Sequence, residues 1–99
     1  MLDLAAITAE SLTPYVGQTF DAVFTDGRLP LTLAEVQPLG AAHPNATRNP
    51  FRLAFHGTPE LRLPQGIYRL EHPTLGALEI FLVQIRGDAS TAKFEAIFT

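Results

Sequence analysis

The chain predicts a small all-β fold: a six-stranded antiparallel barrel or sandwich of consecutive hairpins, with a short N-terminal helix. Three observations carry this. Apolar and polar residues alternate in short runs, as at Phe20-Asp21-Ala22 and Phe51-Arg52-Leu53, the period that turns one face of a strand toward a core. Turn signals separate the runs, above all Asp26-Gly27 and Pro73-Thr74-Leu75-Gly76. Eight prolines and seven glycines are spread along the chain, as expected when many short strands need many turns.

Residues 7–16 suit a short helix. Thr8 offers an N-cap oxygen, Glu10 and Ser11 fall in the first turn, Pro14 limits the length and Gly17 ends it. From Thr19 the period becomes two: Phe20, Ala22 and Phe24 form one face of a strand, and Asp26-Gly27 is a strong hairpin signal. The return strand, residues 29–36, sets Leu29, Leu31 and Leu33 on one face. Pro30 has no N–H to give a neighbour, so it belongs at an edge or with that side turned outward.

Residues 40–50 (GAAHPNATRNP) are small, polar and proline-bearing, and make the longest loop. Its Asn45-Ala46-Thr47 matches a glycosylation sequon, which matters only on secretion. Phe51, Leu53 and Phe55 then share the face of a third strand, ended by Gly57. Pro59 and Pro64 hold the next connection extended.

The stretch LPQGIYRLEHPTLGALEIFLVQI reads as one hairpin. A four-residue loop from Pro73 to Gly76 pairs His72 with Ala77, Leu70 with Glu79 and Tyr68 with Phe81. Tyr68, Leu70, Phe81, Val83 and Ile85 then form the core face. Ile67, Arg69, Glu71, Leu78, Ile80, Leu82 and Gln84 lie opposite. After a turn near Gly87-Asp88, a last strand sets Phe94, Ala96 and Phe98 against Lys93, Glu95 and Ile97. At a sheet edge this strand accepts a partner strand; in a closed barrel it pairs with the first strand.

Ninety-nine residues, nearly half of them apolar, make one domain with an adequate core: an N-terminal segment over residues 1–17 and the β unit over 18–99. No cysteine is present, which excludes disulfides and thiolate chemistry. The net charge is −3, and the seven Lys and Arg are scattered without a run. Binding to a phosphate backbone is therefore not expected. No apolar run approaches a membrane span. Met1-Leu2-Asp3-Leu4 carries an acid where a signal peptide needs basic residues, so a cytoplasmic location is expected, with later incorporation into an exported assembly left open.

The segments PYVGQTF (residues 14–20), FRLAFHG (51–57), LPQGIYRLEHPTLGALEIFLV (63–83) and KFEAIF (93–98) resemble a family of small bacterial proteins, the domain of unknown function 6916. The likeness spans nearly the whole chain and is most specific in the hairpin. It implies a compact β domain and no known activity, cofactor or catalytic residue. It also implies a genomic neighbourhood of phage-tail-collar-like proteins, and with it a structural or assembly role.

The chemistry-bearing residues do not form a motif. His43, His56 and His72 are the metal candidates, with Glu71 or Glu79 as partners, but no spacing supplies the three or four converging ligands that zinc needs. His72, before Pro73, more simply caps the turn. Ser11 and Ser90 lie outside any nucleophile-elbow context, and the glycines are isolated turn residues. In the four-residue register Glu71 and Glu79 project to opposite faces. Displaced by one residue they share a face, where a solvated strand end is the simpler reading.

The stripe Leu78, Ile80, Leu82 is too apolar for water. Either both faces of its strand are buried, or the stripe is an exposed interface with Arg69 and Glu71 as its polar rim. The function expected is that of a non-enzymatic structural or adaptor protein, acting through a protein partner or self-association. The alternative is a small-molecule or carbohydrate-binding barrel, with the 40–50 loop as lid and His56 or Tyr68 as polar handles.

Overall fold

The computed structural model describes residues 7–40, 44 and 49–98. A four-residue helix α1 (Ala9–Leu12) and a 3₁₀ turn (Thr13–Tyr15) precede six strands. These are β1 (Thr19–Phe24), β2 (Gly27–Pro38), β3 (Phe51–Gly57), β4 (Gly66–His72), β5 (Gly76–Asp88) and β6 (Thr91–Phe98). They close into an antiparallel barrel in the order β1-β2-β3-β6-β5-β4. Barrel, not sandwich, is the outcome.

The helix forms where the capping chemistry lies. Thr8 accepts from the Ser11 N–H, and the Ser11 hydroxyl accepts from the Thr8 N–H, a reciprocal box that satisfies two end groups. At Pro14 the chain passes into the 3₁₀ turn, and Gly17 at φ +91° leads it into the sheet. Ile7 and Leu12 are buried and close one end of the barrel.

Inside, Phe20, Phe55 and Phe94 are fully buried with Leu31, Leu33 and Leu53, each such side chain contributing about 1.5–3 kcal/mol. Phe20 meets Phe55 edge-on at 5.8 Å, and Phe51 stacks on Phe98 at 4.8 Å. The alternating residues expected to face the core in β1, β2, β3 and β6 do so. A bulge between Leu33 and Glu35 shifts the register of β2 against β3, so that Val36 rather than Glu35 packs on the core. Pro30 sits opposite Asp21 of β1, and pairing of β2 with β3 starts only at Thr32. The proline thus occupies a stretch whose other side has no ladder to lose.

Two connectivity expectations are corrected. The strands are not all consecutive hairpins: β3 and β4 do not pair, and residues 58–65 cross the open barrel end between them. Eight residues reach about 26–29 Å, enough for the crossing. Leu61 and Leu63 pack on the core from this segment. The last strand is neither a free edge nor a neighbour of β1. It pairs with β3 along Phe51–Gly57 and with β5, while β1 closes the barrel against β4.

The third correction is the register of the β4–β5 hairpin. His72 pairs with Gly76, Leu70 with Leu78, Tyr68 with Ile80 and Ile67 with Phe81, across a loop of three residues instead of four. A one-residue slip exchanges faces. Leu78, Ile80 and Leu82 are accordingly 0, 2 and 1% exposed, whereas Phe81 is 51% exposed.

Candidate functional site

Of the residues expected to form an interface, Leu78, Ile80 and Leu82 are interior to the barrel and form no surface of the folded chain. The reason lies in strand parity. Glu79 shares its face with Phe81, and placing that carboxylate in water carries Phe81 outward with it. Arg69 and Glu71 do lie on the outer face, but the stripe they were expected to rim lies on the other side of the sheet. Arg69 Nε donates to Glu71 at 2.9 Å, and Arg28 Nη1 lies 2.8 Å from the other Glu71 oxygen. Glu79 shares this face with Glu71, as the displaced register requires.

Those two bonds hold the Glu71 carboxyl below its ordinary range, the one from Arg69 first and the one from Arg28 next. A carboxyl depressed in the folded state contributes stability above its unfolded pKa and loses it as the pH falls through the folded value. We therefore expect Glu71→Gln to lower the thermal midpoint at neutral pH and to lower it less at a pH below the ordinary carboxylate range. Parallel melts at the two pH values check this; an equal offset at both would remove the ion pairs as its source.

The described metal candidates do not converge. His43 lies outside the described residues. His56 is on the outer face of β3. His72 is buried, and both its ring nitrogens are engaged. Nδ1 accepts from the Thr74 and Leu75 N–H groups at 3.0 and 3.2 Å, so the proton is on Nε2, which donates to Gln18 Oε1 at 2.6 Å. The ring also packs edge-on against Tyr15 at 5.0 Å and beside Phe20. His72 is the cap of the hairpin turn and ties it to the N-terminal segment. Among the described residues no three His, Asp or Glu side chains stand together as metal ligands.

The remaining polar candidates have structural partners. Ser11 completes the helix cap, and both the N–H and the hydroxyl of Ser90 bond Asp88. The Tyr68 hydroxyl donates to the Pro64 carbonyl, and its ring meets Phe24. Arg52 spans two strands, donating to Glu95 at 2.8 Å and Glu35 at 3.0 Å, and the Glu95 bond above all raises its pKa. Of the 40–50 loop, the expected lid, residues 41–43 and 45–48, with the Asn45 sequon, lie outside the described residues.

What sequence reasoning missed is an apolar row on the outer face. Ile67 on β4 and Phe81 on β5 are a cross-strand pair, 70 and 51% exposed, and Ile97 on β6 is 52% exposed. The β5–β6 ladder ends at the Val83–Glu95 pair, two residues short of Phe81 and Ile97, which lie on the same outer face of these two strands. Arg52 sits opposite Ile97 on β3, and Arg69 and Glu79 flank the row on the hairpin. The available signal is the parity of Glu79, which a four-residue turn overrides.

Among the described residues no helix is long and apolar enough to cross a membrane. A family model whose description is a domain of unknown function (DUF6916) matches residues 7–98. Searches of curated proteins and of solved structures give no match.

Proposed function

The chain belongs to the DUF6916 family, and from that premise we propose that it is a non-enzymatic structural or adaptor protein, working through protein–protein contacts on the outer face of β4, β5 and β6. One observation carries the reading: Ile67, Phe81 and Ile97 are each more than half exposed on adjacent strands. Scattered single apolar residues are ordinary on a surface, but a neighbouring set with an aromatic at its centre and charges at its rim has the composition of an interface. Arg69 and Glu79 supply that rim on one side, Arg52 and Glu95 on the other.

An assembly of the phage-tail or fibre type is the setting we favour, from the family resemblance. The alternative, a ligand-binding barrel, has less support, because Phe20, Phe55 and Phe94 fill the interior in which such a barrel holds its ligand.

Phe81→Asp tests the reading. The tagged chain is captured from its host, the co-purifying protein is isolated, and its binding is measured by titration calorimetry; sedimentation reports self-association in parallel. The expected result is a stoichiometric partner or a dimer that Phe81→Asp weakens by about 2 kcal/mol or more, as for a central aromatic anchor, in a variant that stays folded. A complex that keeps its affinity in Phe81→Asp, or a monomer with no stoichiometric partner, overturns it.

A further inference from the structure

The crossing at the far end of the barrel builds a second feature. Gln84 of β5 clamps residues 58–65 from both sides of one position: its Nε2 donates to the Leu61 carbonyl and its Oε1 accepts from the Leu63 N–H, both at 2.9 Å. Leu61 and Leu63 pack inward, so Arg62 between them is turned outward. Its Nη1 donates to the carbonyls of Pro59 and Leu61 at 2.9 and 2.8 Å. That leaves Nε–H and the two Nη2 hydrogens free to bind.

The facing wall is the bulge in β5. Its register with β6 breaks between Ile85 and Asp88, and such a bulge re-aims the side chains it carries. Gly87 permits the close approach, since a Cβ there would lie 2.3 Å from the Thr91 carbonyl oxygen. Between the walls runs an open groove of about 370 Å³, lined by Arg62, Gln84, Arg86, Gly87, Asp88 and Thr91 among others.

Charge singles this groove out. Arg28, Arg52, Arg69 and Lys93 each have a carboxylate within 4 Å. Among the described residues, the two cations left without one are Arg62 and Arg86, and both line this groove. Asp88, the carboxylate beside them, already accepts from the N–H and hydroxyl of Ser90 and stands 3.7 Å from Lys93. Two uncompensated guanidiniums thus share one concavity on a chain of net charge −3.

We propose that this groove binds a small molecule through a phosphoryl or carboxylate group bridging Arg62 and Arg86. Guanidinium forks match the oxygen geometry of both groups, and the groove volume falls in the range of small-molecule sites, leaving room for the body of the ligand. The site is separate from the apolar row and does not depend on the adaptor reading.

The test is an NMR titration of the intact chain with inorganic phosphate and with citrate, against chloride at matched ionic strength. The expected result is saturable shifts of the Arg86, Gly87 and Thr91 amides and of the Arg62 Nε–H, with one of the two anions and not with chloride. The anion that saturates first identifies the group. Arg62→Gln and Arg86→Gln should each weaken binding about tenfold, and Arg86→Gln should leave the thermal midpoint unchanged in the absence of anion. Shifts that track ionic strength alone, no saturable shift with either anion, or affinities unchanged in both variants would overturn the assignment.

Discussion

Ile80→Asp is expected to unfold the domain, while Phe81→Asp, one residue on, leaves it folded. Ile80 is 2% exposed and packs in the barrel core with Leu70, Leu78 and Leu82 as fellow members; Phe81 is half in water. Among the described residues no Lys or Arg is buried inside the barrel to pair with a carboxylate at position 80. An unpaired buried charge costs several kcal/mol, and removal of the Ile side chain adds about 2–4 kcal/mol for lost transfer and packing. The sum is comparable to the whole stability of a domain this size, about 5–15 kcal/mol. At position 81 the new carboxylate stands in solvent on the face of Arg69 and Glu79, and a surface substitution of that kind usually changes stability by about 0.5 kcal/mol or less. Far-UV circular dichroism and amide dispersion on the two variants decide the matter. The reverse outcome, a folded Ile80→Asp beside an unfolded Phe81→Asp, would mean that the hairpin runs in the four-residue register.

His72→Phe is expected to cost about 2–4 kcal/mol, although the ring volume is retained. The His72 ring accepts two backbone N–H groups in the Thr74–Leu75 turn and donates to Gln18. Phenylalanine keeps the contacts with Tyr15 and Phe20 but leaves the partly buried donors and the Gln18 carbonyl oxygen without it, at about 1–3 kcal/mol for each group that water does not reach. Urea unfolding of the variant and of Gln18→Leu separates the contributions: Gln18→Leu removes only the Nε2 bond and should cost less. A His72→Phe variant within about 0.5 kcal/mol of the parent would show that the main chain alone holds the turn. The same ring explains why this loop is one residue shorter than the Pro-Thr-Leu-Gly signal suggests. A side-chain nitrogen takes the N–H groups that a longer loop would direct to the backbone, and the strands close one position nearer the tip.

Much of the fold was legible because strand faces are written locally. Phe20/Ala22, Leu31/Leu33, Phe51/Leu53/Phe55 and Phe94/Ala96/Phe98 each alternate cleanly, and each buries the expected set. The Thr8 cap was legible for the same reason, since its partner Ser11 is three residues away. The β4–β5 hairpin was not, because β5 is apolar on both parities: Leu78, Ile80 and Leu82 on one, Phe81, Val83 and Ile85 on the other. Either set is able to fill a core. Arg69 and Glu71 were placed on the outer face correctly, but the apolar residues beside them are Ile67, Phe81 and Ile97. The Arg62–Arg86 groove had no sequence signature at all, because its two cations are far apart in the chain and only the crossing connection and the β5 bulge bring them together.

By itself the sequence determined the element types and their order, the absence of thiol chemistry, the alternating core faces of four strands, the helix cap and the membership of a β-rich family. These rest on spacing within a few residues, where backbone geometry leaves few choices. The tertiary structure alone decided that the sheet closes as a barrel, that β6 lies between β3 and β5, which face of β5 meets water, and which cations go without a carboxylate. Those outcomes depend on contacts between distant segments, and for them the deciding quantity is how the whole apolar surface packs at once rather than what any one segment prefers.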